Sequence, residues 1–138
     1  MRIAYLSSFY PLRGGIAQFN GSLYRAFEQN HEIKAFTFKR QYPNLLFPGK
    51  SQYVQESDQV DQIPSEEILD TINPLSYQKT ARKIQQFQPD LLLMKYWMSY
   101  FAPSLGWVAK KVNKRARVIS VLDNVIPHEK RFFDVPLT

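Results

Sequence analysis

The sequence predicts an α/β fold, a Rossmann-like parallel sheet with helices on both faces. Strand-like apolar runs alternate along the chain with segments of helical periodicity, which is the pattern of βαβ units. The run at 90–95 is almost continuously apolar, as expected for a central parallel strand covered on both faces. Gly14 and Gly15 join the first strand to the first helix, where phosphate-binding folds place a glycine turn. We therefore expect ligands to bind beyond the carboxyl ends of the strands.

Each predicted element rests on its own pattern. We predict strands over residues 2–8, 33–38, 90–95 and 116–122. Apolar residues at helical spacing predict three helices. The first has Ile16, Phe19, Leu23 and Phe27, and the second has Tyr77, Ala81, Ile84 and Phe87. The third has Phe101, Leu105, Val108 and Val112. Residues 39–74 are rich in proline and polar residues, so they are predicted to be an irregular excursion with a short strand at 52–55.

The amino-acid composition limits the classes of protein to which this chain can belong. The 138 residues, 44% of them hydrophobic, suit one globular domain over residues 1–138. The absence of cysteine excludes a disulfide framework and cysteine-ligated metal. The chain begins with a strand-like segment rather than a signal peptide, and no apolar run is long enough to span a membrane. A cytoplasmic location follows as the expectation.

The net charge of +6 favours anionic partners. Much of the positive charge lies late in the third helix and just after it, at Lys110, Lys111, Lys114, Arg115 and Arg117. One interpretation is a solvated helix face whose cations complement the helix dipole. The other is peripheral contact with an anionic membrane. No nucleic acid is expected, because no recognised binding motif accompanies the charge.

The glycine turn carries the main functional prediction. A strand that ends in a glycine turn and opens a helix directs unpaired backbone N–H groups and the positive end of the helix dipole at one place. Gly14 and Gly15 suit this role because a side chain would keep a bulky anion away from the backbone. The sequence thus predicts a phosphate-receptive corner.

Other phosphate and metal sites fit less well. The dinucleotide fingerprint lacks its third glycine, and the second strand ends in the basic pair Lys39 and Arg40, so an NADP enzyme stays open as a minor alternative. The stretch 48–51 resembles the end of a P-loop but has no strand before it. The two histidines lie far apart and no Asp-x-Asp pair is present, so neither a metal nor another cofactor is expected.

Three motifs, in order, resemble the N-terminal domain of a GT-B-fold glycosyltransferase of the large retaining family 4. The motifs are residues 2–16 with Tyr10, Pro11 and the Gly-Gly turn, residues 96–106, and residues 123–129. Together they span most of the chain. The resemblance implies transfer of a sugar from a nucleotide-diphosphate sugar to a hydroxyl acceptor, a sugar or a lipid-linked one. It also implies that this chain is the acceptor-side domain of a longer protein with a C-terminal donor-binding half.

The resemblance also implies roles for individual residues. Gly14 and Gly15 would meet the donor diphosphate through their amides, and Arg13 would add positive charge. Asp123 closes the fourth predicted strand and would face the reacting sugar as the catalytic position. The remaining substrate-binding candidates come from the second and third motifs: Tyr96, Trp97, Asn124, His128 and Glu129. The aromatic residues after the third predicted strand suit sugar rings, and they suit core packing equally well.

The chain departs from the family pattern at Asp123, where relatives often carry histidine. An ionised aspartate repels a nearby diphosphate, although it accepts a hydrogen bond from a sugar hydroxyl. This departure keeps a second function open, a non-catalytic binding or scaffold domain of the same fold.

Overall fold

The computed structural model describes residues 1–10, 12, 15–40, 61–96 and 99–122. In these ranges the chain forms five strands and three α-helices, with a single 3₁₀ turn at Ser99–Phe101. The elements in chain order are β1 (Arg2–Leu6), α1 (Gly15–Glu28), β2 (Glu32–Arg40), β3 (Ser65–Asp70), α2 (Pro74–Phe87), β4 (Leu91–Tyr96), α3 (Ala102–Val112) and β5 (Arg117–Leu122).

The strands form one parallel sheet in the order β3-β2-β1-β4-β5. β1 lies in the centre, with Leu6 level with Phe36 of β2 and with Met94 of β4. β4 in turn pairs with β5, with Lys95 opposite Val121. This arrangement confirms the predicted Rossmann-like fold. It also confirms β4, the almost continuously apolar run, as an interior strand of the sheet.

Helices cover both faces of the sheet, as predicted. On one face, α2 and α3 pack their apolar stripes against Leu92 and Met94 of β4 and Phe36 of β2. The predicted stripe of α3 is buried at all four positions, and in α2 Ala81 and Ile84 are buried while the flanking aromatic residues are partly buried. On the other face, α1 and Ile63 cover Ile3, Tyr5 and Leu93.

The predicted stripe of α1 is wrong in one respect. Phe19 is 45% exposed, whereas Asn20 and Tyr24 are buried against the sheet. The buried centre of α1 is therefore displaced by one residue from the apolar stripe. The cause is a polar requirement at the end of β1, which Asn20 meets.

The prediction of an irregular excursion over residues 39–74 is also wrong in part. β2 continues to Arg40, residues 65–70 form β3, and α2 begins at Pro74. β3 pairs with β2 and, within the described residues, lies at an edge of the sheet. Only its last three residues are buried, so its sequence lacks the long apolar run of an interior strand. The strand predicted at 52–55 lies outside the described residues.

Candidate functional site

The strand order puts a topological switch point between β1 and β4. From β1 the chain proceeds through α1 to β2 on one side, whereas β4 lies on the other side. In open parallel sheets, such a point leaves a crevice outside the carboxyl ends of the two strands, where ligands bind. We call this place the β1–β4 crevice. Its described borders are Ser7 and Ser8 after β1, the start of α1 at Gly15, and the β4 residues Lys95 and Tyr96.

A buried polar network fixes α1 to the end of β1. The Asn20 side chain accepts a hydrogen bond from the Tyr5 hydroxyl at 2.5 Å and donates to Ser7 Oγ and to the Ser8 carbonyl, both at 2.9 Å. All four residues are buried. Burial raises the pKa of Tyr5 far above its usual value, so its hydroxyl stays protonated and remains a donor. The network therefore holds the first half of α1 in one position over the crevice.

The loop after β1 is anchored from the neighbouring strand. The Ser7 N–H donates to the Phe36 carbonyl at 3.1 Å, and the Phe9 N–H donates to Thr37 Oγ1 at 3.0 Å. Phe9 and Leu12 are both fully buried, and the Leu12 N–H donates to the Phe9 carbonyl at 2.9 Å. These contacts hold residues 7–9 and Leu12 in place after β1. A preorganised loop costs less entropy when it receives a ligand.

Lys95 is a buried cation beside the crevice. Its side chain is only 2% exposed, and its Nζ lies 3.9 Å from the centre of the Phe19 ring. The Phe19 ring therefore lies against the ammonium group, although Phe19 itself is largely exposed. A lysine at this depth supplies positive charge next to the place where the helix dipole of α1 also favours an anion.

A second polar cluster lies at the same edge of the sheet, at the ends of β2 and β3. Asp70 accepts the Ile72 N–H at 3.2 Å and faces Arg40, with Nε and Oδ2 3.5 Å apart. Thr71 Oγ1 and the Tyr100 hydroxyl lie 3.0 Å apart, and the Tyr77 hydroxyl donates to the Thr71 carbonyl. Burial, followed by the proximity of Tyr100 and Asp70, raises the pKa of Tyr77. This edge thus presents hydroxyl and carboxylate groups suited to sugar hydroxyls.

The structure brings two of the predicted site residues to the same edge. Gly15 is the first residue of α1, and Tyr96 is the last residue of β4, opposite Leu122 of β5. The other predicted site residues lie outside the described residues: Arg13, Gly14, Trp97, Asp123, Asn124, His128 and Glu129. Two further aromatic residues follow the third predicted strand: Phe101 is a core residue, whereas Tyr100 is partly buried at the second polar cluster.

Sequence reasoning missed Asn20, Lys95 and the second polar cluster. Asn20 and Lys95 each interrupt a pattern, the first next to an apolar helical stripe and the second at the end of an apolar strand run. A polar residue in such a place is a signal of a buried network, because burial without partners is costly. The cluster at Asp70 was missed because β3 was missed.

The five basic residues of the sequence prediction are all exposed, but they lie away from the crevice. α3 runs from the carboxyl end of β4 to the amino end of β5. Lys110 and Lys111 are in its last turn, Lys114 and Arg115 follow it, and Arg117 begins β5. These residues are therefore near the amino edge of the sheet, opposite the β1–β4 crevice.

Among residues 1–10, 12, 15–40, 61–96 and 99–122, no group of three or more His, Cys, Asp or Glu side chains is close enough to hold a metal ion. None of the helices in the same part of the chain has both the length and the apolar character needed to cross a bilayer.

No protein-family model matches this chain, and no curated protein has significant sequence similarity to it. The fold is therefore assigned from the structure itself. The resemblance to family 4 glycosyltransferases rests on the three sequence motifs alone and stays a prediction.

Proposed function

We propose that this chain is the acceptor-side domain of a retaining glycosyltransferase that transfers a sugar from a nucleotide-diphosphate sugar to a hydroxyl acceptor. The observation that carries the proposal is the β1–β4 crevice, a switch point with the start of α1 on one side and buried Lys95 on the other. The start of α1 and Lys95 both lie at the carboxyl edge of the sheet, and positive charge at that edge favours an anion such as a diphosphate.

In this proposal, the site stabilises the negative charge that develops on a leaving group. When the bond between the sugar and the diphosphate breaks, negative charge develops on the departing phosphate oxygen. Backbone N–H groups at the glycine turn would donate to that oxygen, and no metal is required for this step. The hydroxyl groups of the second polar cluster, at Thr71 and Tyr100, are suited to hold the acceptor's hydroxyl groups at the same edge.

Binding of nucleotide diphosphates to the full protein, with its donor-binding half, tests the proposal. We expect UDP, GDP or a related nucleotide-diphosphate sugar to shift the backbone amide resonances of Gly14 and Gly15, whereas the nucleoside without phosphate does not. The Gly15→Val substitution places a branched side chain where the diphosphate approaches, so we expect affinity to fall at least about tenfold, equivalent to roughly 1.4 kcal/mol. Lys95→Met, which keeps a side chain of similar length without charge, is expected to weaken the same binding.

The matched control is Gly106→Val. A Cβ at Gly106 meets no atom within 4 Å, so the same substitution is accommodated on the exposed side of α3 without altering the crevice. Unchanged nucleotide affinity in Gly15→Val would contradict the phosphate role. Stronger binding of NADP than of any nucleotide-diphosphate sugar would instead favour a dehydrogenase.

A non-catalytic binding domain of the same fold is the second candidate, and Asp123 is the feature that favours it. In such a domain the crevice would bind a sugar or nucleotide ligand and no transfer would follow. Chromatographic detection of sugar transfer by the full protein separates the two, because both candidates share the binding step but only one produces a glycosylated acceptor.

A further inference from the structure

The positive charge of this chain is concentrated in one part of the fold. Residues 71–122 contain nine lysines and arginines and a single carboxylate, Asp90, whereas the rest of the chain has nine such cations and eleven carboxylates. This part comprises α2, β4, α3 and β5. Residues 71–122 therefore carry a net charge of +8, whereas the rest of the chain carries −2.

α2 and α3 lie side by side and present these cations to solvent. Tyr77 of α2 contacts Trp107 of α3, with ring centres 6.4 Å apart, and Gln85 Nε2 donates to the Lys111 carbonyl at 3.2 Å. We define the α2–α3 surface by its six exposed cations and two exposed apolar residues. They are Lys79, Arg82, Lys110, Lys111, Lys114 and Arg115, with Leu75 and Trp107.

Within the described part of the chain, none of the six cations forms an ion pair. The helix α1, which covers the other face of the sheet, differs in this respect. There Arg25 of α1 pairs with Glu28 at 3.0 Å and with Asp61 at 2.8 Å, which neutralises its charge locally. The α2–α3 surface thus retains an uncompensated positive potential, and such a potential attracts an anionic partner.

The helix dipole does not account for this arrangement. It favours cations in the last turn of a helix, which explains Lys110 and Lys111 of α3. α2, however, has no basic residue in its last turn, and its exposed cations Lys79 and Arg82 are in the middle of the helix. The dipole thus explains the cations of α3 but not those of α2.

The exposed apolar residues indicate what kind of anionic partner fits. Leu75 is 76% exposed and Trp107 is 36% exposed, and Lys111 Nζ lies 5.3 Å from the centre of the Trp107 ring. Tryptophan with adjacent lysine is typical of the membrane–water interface, where the ring lies among headgroups and the cation meets lipid phosphate. A polyanion such as nucleic acid gains little from an exposed leucine.

We propose that the α2–α3 surface docks on a bilayer with anionic headgroups. Its cations contact lipid phosphate, and Trp107 and Leu75 enter the headgroup region. Because α2 and α3 lie along one face of the sheet, this contact leaves the β1–β4 crevice at the side of the molecule, open to solvent. The proposal does not depend on sugar transfer and can be tested without any sugar donor.

The test is flotation of the 138-residue chain with lipid vesicles at physiological salt. We expect the chain to float with vesicles of phosphatidylcholine and phosphatidylglycerol but not with vesicles of phosphatidylcholine alone. Each cation near an anionic surface contributes roughly a fivefold increase in partitioning, so Lys110→Gln combined with Lys111→Gln is expected to weaken it by about 30-fold. Trp107→Ala is expected to weaken binding at salt concentrations that already screen the cations.

The matched control removes the same charge elsewhere. Lys34 and Lys39 are exposed on β2, so Lys34→Gln combined with Lys39→Gln lowers the net charge equally but leaves the α2–α3 surface intact. An equal loss of partitioning in both double variants would overturn the proposal, since net charge alone would then explain binding. Displacement of the chain from anionic vesicles by a stoichiometric amount of single-stranded RNA would also overturn it.

Discussion

At the scale of single residues, Asn20 decides how α1 sits on the sheet. Its side chain satisfies three partners at once, the Tyr5 hydroxyl, Ser7 Oγ and the Ser8 carbonyl. Asn20 also begins an Asn-Gly-Ser sequence, which is formally a glycosylation acceptor. In the folded chain its amide nitrogen is buried and donates both of its hydrogen bonds, so that sequence serves the core rather than a modification.

We predict that Asn20→Leu lowers the free energy of unfolding by about 3 kcal/mol. Leucine has the same branching and number of side-chain heavy atoms but leaves buried polar groups without partners, and each such group costs roughly 1–3 kcal/mol. Urea denaturation followed by circular dichroism measures the change. Asn30→Leu, at an exposed position after α1, is the matched control and is expected to change stability by less than about 0.5 kcal/mol.

A double-mutant cycle with Tyr5→Phe checks the cause. If the Tyr5 hydroxyl and the Asn20 carbonyl oxygen stabilise each other, the two substitutions together cost less than the sum of the single ones, with a coupling of about 1 kcal/mol. Additive effects would show instead that the two side chains act independently. The hydrogen bond of 2.5 Å would then contribute nothing to the position of α1.

At the scale of elements, α3 shows how well a helix can be predicted when its pattern and its burial agree. Its four apolar positions were predicted from spacing alone, and all four are buried. Gly106 is the residue with the lowest helix propensity in α3 beyond its first turn. It lies in the interior of α3 on the exposed side, with open space where a Cβ would be.

We predict that Gly106→Ala raises the free energy of unfolding by about 0.5–1 kcal/mol. Alanine lowers the backbone entropy of the unfolded chain and meets no neighbour in the folded one. The corresponding increase in melting temperature, roughly 2–4 °C, is measurable by calorimetry. A lower melting temperature would mean that this side of α3 contacts another part of the protein.

The elements that sequence reasoning missed share a physical cause. β3 is an edge strand within the described residues, so polar residues are tolerated in its first half. The apolar pattern that could predict this strand is therefore limited to Ile68 and Leu69. α1 was predicted with the wrong buried centre because Asn20 and Lys95 serve polar contacts inside the molecule. The periodicity of apolar residues indicates which apolar surface is buried, but it gives no information about buried polar groups.

The candidate site, like the fold, could be predicted only in part. The sequence predicts that Gly15 and Tyr96 lie at the carboxyl edge of the sheet, and both do, because the alternation of strands and helices specifies which element each residue begins or ends. The cluster of Asp70, Thr71 and Tyr100 was not predicted, since it joins residues from two junctions that only the tertiary fold brings together.

At the scale of the whole molecule, the fold separates the two surfaces for which we propose different roles. The carboxyl edge of the sheet has the crevice and its polar clusters, and the outer face of α2 and α3 has the uncompensated positive charge. A membrane contact through that face and a ligand in the crevice do not compete for the same residues. The two proposals can therefore be tested and can fail separately.

The sheet order also predicts an uneven distribution of stability. β1 and β4 each pair on both sides, whereas β3 pairs with β2 and has a first half that is not buried. We expect the slowest amide protons in β1 and β4 to exchange only through global unfolding, with free energies equal to that from urea denaturation. Amides of β3 are expected to exchange at least about tenfold faster, a difference of roughly 1.4 kcal/mol. Native-state hydrogen exchange by NMR measures both. Equal protection in β3 would show that its outer edge is covered, and slow exchange confined to β1 and β4 would place the candidate crevice on the most rigid part of the molecule.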